Sequence, residues 1–196
     1  MRSPRTIGLL FALGSVCFLV GPAPGYIQLV GSGADGVTFF VGSIFFTTAS
    51  ALQLAATPRE ERVDRWACAI QLTGTVFFNI STFDAMNESL DTTAQNRLVW
   101  APDAFGSVCF LVASWLAYSV RRHARPSTDW WIAALNLAGS VAFGISAVAA
   151  FIVPATGSEL DLAAANWTTS LGAACFLAGA LLMGRSKGSE IAVSRH

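Results

Sequence analysis

Few side chains in this chain could take part in a reaction, and their spacing argues against most reactions. The two histidines are His123, in a basic segment, and His196, at the C-terminus. Neither is placed to ligate a haem iron within an apolar stretch. Cys17, Cys68, Cys109 and Cys175 form no CxxC pair and no Cys–His spacing. They are expected to pack as small hydrophobes rather than to form disulfides or hold a metal. HExxH, a Ser–His–Asp order and a glycine-rich phosphate loop are all missing from the sequence. These residues predict a chain that is not an enzyme and that holds no cofactor and no metal.

Two groups of polar residues remain as candidates for binding. Gln71, Asn79 and Asn136 stand inside apolar stretches, with Thr47, Thr48 and Gln53 on another. Amides at such depth either bond across helices and fix their register or line a polar path that contacts a ligand. Asp84, Trp100, Asp103, Asp161, Asn166 and Trp167 fall at similar levels near the ends of apolar stretches. Carboxylates at membrane depth are functional candidates, and the tryptophans suit either an interfacial belt or the wall of an outward-facing pocket.

The elements that carry these residues follow from composition. Hydrophobic residues make up 54 % of the chain and charged residues 12 %, too few charges to cover an apolar core in water. Six apolar stretches occupy 6–22, 36–57, 66–84, 102–120, 130–153 and 162–183. A helix needs about 20 residues to cross ~30 Å of hydrocarbon. Helices are expected because lipid cannot satisfy a loose backbone N–H or C=O. The predicted fold is all-α: a polytopic membrane protein of six transmembrane helices in one domain spanning 1–196, with a tail at 184–196. The Gly21-Pro22-Ala23-Pro24-Gly25 run, Pro58, Pro126 and Pro154 mark breaks, and 85–101 is the longest connection.

Orientation follows from the basic residues. Arg2, Arg5, Arg59, Arg62, Arg65, Arg121, Arg122, Arg125, Arg185, Lys187 and Arg195 fall on one side, and only Arg97 on the other. The excess of Lys and Arg belongs on the cytoplasmic side, which puts both termini there in a cell membrane. The first stretch, with Arg2 and Arg5 ahead of it, also has the pattern of a secretory signal peptide. Its internal motif argues that it is retained.

That motif recurs in every stretch: a glycine, a small residue, two further residues and a phenylalanine. The copies begin and end at Gly14 and Phe18, Gly42 and Phe46, Gly74 and Phe78, Gly106 and Phe110, Gly139 and Phe143, and Gly172 and Phe176. Glycine and phenylalanine four apart share one helix face. Small residues let a neighbouring backbone approach closely, the main way helices associate in lipid, so the motif is expected to be helix-packing glue. The similarity of 69–76 to 134–141, and the steadier spacing, favour three repeated hairpins over about 6–57, 66–120 and 130–183. A competing parse rests on Gly14–Val20 and Gly106–Val112, which share the same seven residues and would make two inverted three-helix halves.

Hairpins with Gly-Ser-x-x-Phe, introduced by a segment such as Trp100-Ala101-Pro102-Asp103-Ala104-Phe105-Gly106-Ser107, resemble the YrhK-like domain of bacterial membrane proteins. The resemblance covers about 66–121 best and 130–184 more weakly. It implies a bacterial inner-membrane location and supplies no catalytic residue, the family being uncharacterised. Three functions are open. The leading expectation is a scaffold or accessory subunit that packs with itself or a larger membrane complex. The alternative is a channel or transporter for a small neutral or weakly polar solute. A membrane enzyme using Asp84, Asp103 and Asp161 comes last. The expected partners are the lipid bilayer and membrane proteins. A net charge of zero offers nothing to nucleic acid.

Overall fold

The computed structural model describes residues 3–185. In chain order the elements are α1 (Pro4–Val20), a short α2 (Tyr26–Val30), α3 (Ser32–Ala56), α4 (Arg62–Asp84), α5 (Thr92–Gln95), a π-helical turn (Asn96–Trp100), α6 (Ala101–Ser119) and α7 (Thr128–Ala149). A two-stranded hairpin follows, β1 (Ile152–Val153) and β2 (Ser158–Glu159), and then α8 (Leu162–Arg185). The strands are antiparallel, with Ile152 opposite Glu159. Most of the expected 184–196 tail lies outside the described residues.

Helix starts are marked by side chains that accept otherwise orphaned N–H groups. Ser3 accepts from Arg5 ahead of α1, Asp91 from Ala94 ahead of α5, and Ser127 from Trp130 ahead of α7. Asp161 accepts from the N–H of Ala164 at the start of α8.

Two expected boundaries are corrected. The longest expected connection, 85–101, is helical from Thr92, and α5, the π-helical turn and α6 follow one another without a break. Pro102 sits in the first turn of α6, directly after the π-helical turn. A proline there costs little, because the wider turn before it relaxes the ring's clash with the preceding backbone. The helix expected over 130–153 stops at Ala149. Val153 precedes Pro154, which disfavours helical backbone for it, and Ile152 and Val153 pair as a strand instead. The return turn uses Gly157 at φ 68°, a left-handed conformation that glycine adopts without strain.

Four helical runs are long and apolar enough to cross a membrane: Ser32–Ala56, Thr92–Ser119, Thr128–Ala149 and Leu162–Arg185. The other two stretches expected to cross fall short of that standard, for different reasons. The apolar α1 has only 17 residues. The 23-residue α4 is diluted by Arg62, Asp64 and Arg65 in its first turn and by Gln71, Asn79, Ser81 and Thr82 further on.

The six long helices close into a ring. Helix α1 lies between α8 and α3, α4 between α3 and α6, and α7 between α6 and α8. Among the described residues the buried polar ones are all Ser or Thr, including Ser15, Ser43, Thr75 and Ser140, each fully buried. Two positions after the motif glycine, Val16, Ile44, Val76, Val108 and Val141 are between 43 % and 58 % exposed. An outward belt of branched aliphatics, with small hydroxyls buried at the helix contacts, suits hydrocarbon as the surrounding solvent.

The six motif phenylalanines fill the ring's axis as a trigonal prism. Phe18, Phe78 and Phe143 form one triangle, with centroids 5.9–6.4 Å apart. Phe46, Phe110 and Phe176 form the other, at 5.7–6.3 Å. The edges joining the triangles are Phe18–Phe46 at 5.7 Å, Phe78–Phe110 at 5.1 Å and Phe143–Phe176 at 5.4 Å. All six rings are buried.

The glycines explain how the backbones come close enough to build this prism. A Cβ on Gly74 would sit 3.1 Å from the Gly106 carbonyl oxygen, and one on Gly106 3.1 Å from that of Gly74. The same holds for Gly139 and Gly172 across α7 and α8, at 3.0 and 2.9 Å. Between α1 and α3, a Cβ on Gly14 would lie 2.9 Å from the Gly42 carbonyl oxygen. Glycine also serves the α1–α8 contact, where a Cβ on Gly8 would lie 2.8 Å from the Ala180 carbonyl oxygen, whereas Ser43 bonds Thr82 across α3 and α4 at 3.0 Å, and Ser114 bonds Ser140 across α6 and α7 at 2.7 Å.

Candidate functional site

The prism separates two polar cavities. At the end of the ring that carries Glu88, Asp91, Glu159 and Asp161 (the acidic end), a cavity of about 610 Å³ runs down to Phe18 and Phe143. At the end that carries Arg59, Arg62, Arg121 and Arg125 (the basic end), a space of about 250 Å³ opens. It adjoins a pinch of about 20 Å³ under Phe46, Phe110 and Phe176.

The walls of the acidic-end cavity are set by helical periodicity. The residues three before the motif glycines of α3, α6 and α8 are Phe39, Asp103 and Thr169, and all three line it. Seven after the glycines of α4 and α7 come Ser81 and Ser146, which also line it. Three and seven are the offsets that return a side chain to one helix face. Ser146 donates to the Ala165 carbonyl at 2.9 Å and shares a 2.6 Å bond with Thr169. The rim is tied down by Asn96, whose amide donates to the Ile152 carbonyl at 2.7 Å and accepts from its N–H at 3.1 Å. Trp100 donates to the Ala147 carbonyl at 2.7 Å and meets Phe151 edge-on. Ser32 bonds Glu88 across the mouth.

Of the six residues expected at an outer pocket, Trp100, Asp103 and Asn166 line this cavity. Asp161 serves as the N-terminal cap of α8, and Trp167 is 69 % exposed. Asp84 sits at the last turn of α4 and is not among the lining residues. The three carboxylates therefore do not converge. Asp103 alone reaches the cavity floor. Among the described residues it has no hydrogen-bond or ion-pair partner, and no cluster of three His, Cys, Asp or Glu could hold a metal.

The three amides expected along a polar path separate as well. Gln71 and Asn136, each three before a motif glycine, line the pinch at the basic end, with Gln53 beside them. Phe11 holds the equivalent place on α1 and lines it too. Asn79 stands apart: its amide nitrogen donates to Thr47 at 2.9 Å, and its oxygen is buried without a partner. Gln71 also donates to Ser50 at 3.3 Å, so two of the three amides pin α3 to α4.

The basic-end space holds a bidentate ion pair that sequence reasoning missed. Arg121 donates to both carboxylate oxygens of Asp64, at 2.8 and 3.1 Å, and to the Ala117 carbonyl at 2.7 Å. The Asp64 hydrogen bonds push the guanidinium pKa above its ordinary value; burial opposes this, and the charges of Asp64, Asp129 and Glu61 add to it. The two residues are 57 apart in the chain, and no local pattern links them.

Residues 81–155 match the family model described as YrhK-like protein. The matched segment starts at the last turn of α4 and runs through the rim, α6 and α7 to β1 and the turn after it. It begins later than the expected 66–121 and takes in Trp100, Asp103 and Ser146. No curated protein and no solved structure matches the chain.

Proposed function

We propose that this chain, YrhK-like over 81–155, is a six-crossing membrane protein of three repeated hairpins that takes a small, weakly polar solute across a bilayer. Both termini lie on the cytoplasmic side of a bacterial inner membrane, and the acidic-end cavity faces outward. The observation that carries this reading is the placement of two cavities on opposite faces of one aromatic plug. A bundle built only for packing has no use for a 610 Å³ cavity, a volume well within the range of small-molecule sites.

Six crossings are supported by the ring itself, in which α1 and α4 each lie between helices long enough to span. Helices closed side by side in one ring share one depth. The three hairpins are supported by the Gly-to-carbonyl approaches within α1–α3, α4–α6 and α7–α8. The small-residue faces that motivate a scaffold role are occupied within the chain's own ring, which favours transport over packing with a partner.

The test is uptake into proteoliposomes from a defined mixture of small polar metabolites, read by mass spectrometry of the lumen. Wild type is expected to accumulate at least one solute above empty vesicles. Phe78→Trp, which crowds the prism, is expected to stop that accumulation. Lumenal contents indistinguishable from empty vesicles for every solute would overturn the transport reading.

A further inference from the structure

The acidic-end cavity has one charge sign. Its ionisable lining residues are Asp103, Glu88 and Glu159, with no Lys, Arg or His among them. The lone cation expected at this end, Arg97, is not part of the lining. Glu159 lies on β2 at the rim, and Glu88 already accepts the Ser32 hydroxyl at the mouth. Asp103 is different. It stands at the depth of the floor, one helical turn from Gly106, where its counterparts on the other two helices are a threonine and a phenylalanine. Three of the polar groups that share the cavity are committed elsewhere, Ser146 and Thr169 to each other and Trp100 to the Ala147 carbonyl, and Asp103 has no hydrogen-bond or ion-pair partner among the described residues. An unpaired carboxylate at membrane depth is a candidate counter-ion for a bound cation.

The remaining walls indicate what kind of group that is. Trp100, Phe18, Phe39 and Phe143 line the same cavity, and aromatic faces attract a positive charge while also burying an apolar body. A bare metal ion is a poor fit, because no three acidic, His or Cys side chains gather among the described residues. We propose that the cavity takes a monovalent organic cation, a protonated amine on an apolar body, with Asp103 as its counter-ion. This rests on the small-solute reading above and narrows the solute to a chemical class.

The test compares 2-phenylethylammonium with 2-phenylethanol, its uncharged equivalent in shape. Both are titrated calorimetrically into the full-length protein in mild detergent. Wild type is expected to prefer the ammonium by at least about tenfold, the scale of one charge-assisted contact. Asp103→Asn should erase the preference and Asp103→Glu should keep most of it. Equal affinities in wild type, or an undiminished preference in Asp103→Asn, would overturn the organic-cation proposal and leave a neutral-solute site standing. Binding of neither compound would overturn the site itself. Should Asp103→Asn not fold, the wild-type comparison alone decides.

Discussion

Phe78 and Phe110 stand 5.1 Å apart across α4 and α6, each ring lying where a side chain on the opposite helix's motif glycine would have to go. A Cβ on Gly106 would meet the Phe78 ring at 2.9 Å, and one on Gly74 would meet the Phe110 ring at 2.9 Å. The glycine and the phenylalanine of the motif are therefore one device shared between two helices. The glycine of each helix makes the room that the phenylalanine of the other fills.

Adding a methyl group at these glycines should cost stability by overpacking. Gly74→Ala and Gly106→Ala are each expected to lose about 1–3 kcal/mol. Gly172→Ala should lose at least as much, since its Cβ would collide with the Phe143 ring and approach the Gly139 carbonyl oxygen at 2.9 Å. Gly144→Ala is the control. Nothing lies within 4 Å of a Cβ there, so it should be neutral or gain up to ~1 kcal/mol from helix propensity. Unfolding in mixed micelles titrated with SDS measures the difference. Similar losses at Gly74 and Gly144 would contradict the shared-device account.

Truncating the most buried ring should open the plug as well as weaken it. Phe110 is 3 % exposed and touches Phe46, Phe78 and Phe176. Phe110→Ala is expected to cost about 3–5 kcal/mol and to connect the two cavities through the axis. Vesicles carrying this variant should leak small solutes that wild-type vesicles retain. A destabilised but fully tight variant would show that the prism is not the barrier.

Much of this arrangement was legible in the chain because it repeats at helical spacing. The Gly-to-Phe interval of four places both residues on one face, and that face proved to be the ring's axis. The same periodicity held a signal for Asp103, which is three before Gly106 as Gln71 is three before Gly74. Sequence reasoning grouped Asp103 instead with Asp84 and Asp161, which share only its approximate depth. Depth does not specify direction, so the three carboxylates part company in the fold. Two further features were not legible locally: the sequence begins a helix at Pro102, and the π-helical turn before it lets the helix run on from Thr92 instead. The Asp64–Arg121 pair forms only once α4 and α6 stand side by side.

Asn79 and Asn136 should respond oppositely to substitution. Asn79 bonds Thr47 at an interface away from both cavities, so Asn79→Leu should cost no more than about 1 kcal/mol and leave solute uptake unchanged. Asn136 lines the pinch beneath the prism, so Asn136→Leu should alter uptake with little effect on unfolding. Measuring uptake and SDS-induced unfolding on both variants separates the roles. Lost uptake in Asn79→Leu at unchanged stability would place the path along α3 and α4 instead.

The Asp64–Arg121 pair should stabilise the basic end modestly and without pH dependence near neutrality. Its side chains are 30 % and 22 % exposed, so solvent screening keeps the contribution of Arg121→Gln to about 1 kcal/mol or less. The Arg121 pKa is raised on folding. The stability linked to it is fully present below the guanidinium's unfolded value and is lost only as pH climbs through the still higher folded one. Melting curves of wild type minus Arg121→Gln should therefore give the same gap across roughly pH 6 to 9, far below that range, and a smaller gap at high salt. A gap that shrinks as pH rises from 6 to 9 would assign the stabilisation to another group.

The charge bias and the ring together predict a sidedness that can be read in whole cells. With Lys and Arg gathered at one end, that end is expected to face the cytoplasm. Val30 follows α1 at the acidic end, and Ser158 lies on β2 at the rim. Ala124 follows α6 at the basic end, three residues after the arginine that pairs with Asp64. Cysteines introduced singly at 30 and 158, in a background with the four native cysteines replaced, should react with a membrane-impermeant maleimide added to intact cells. A cysteine at 124 should react only after the cells are opened. The opposite pattern would turn the Asp103 cavity toward the cytoplasm, making any solute it binds one that leaves the cell. Reactivity of all three in intact cells would mean that the ring does not span the bilayer.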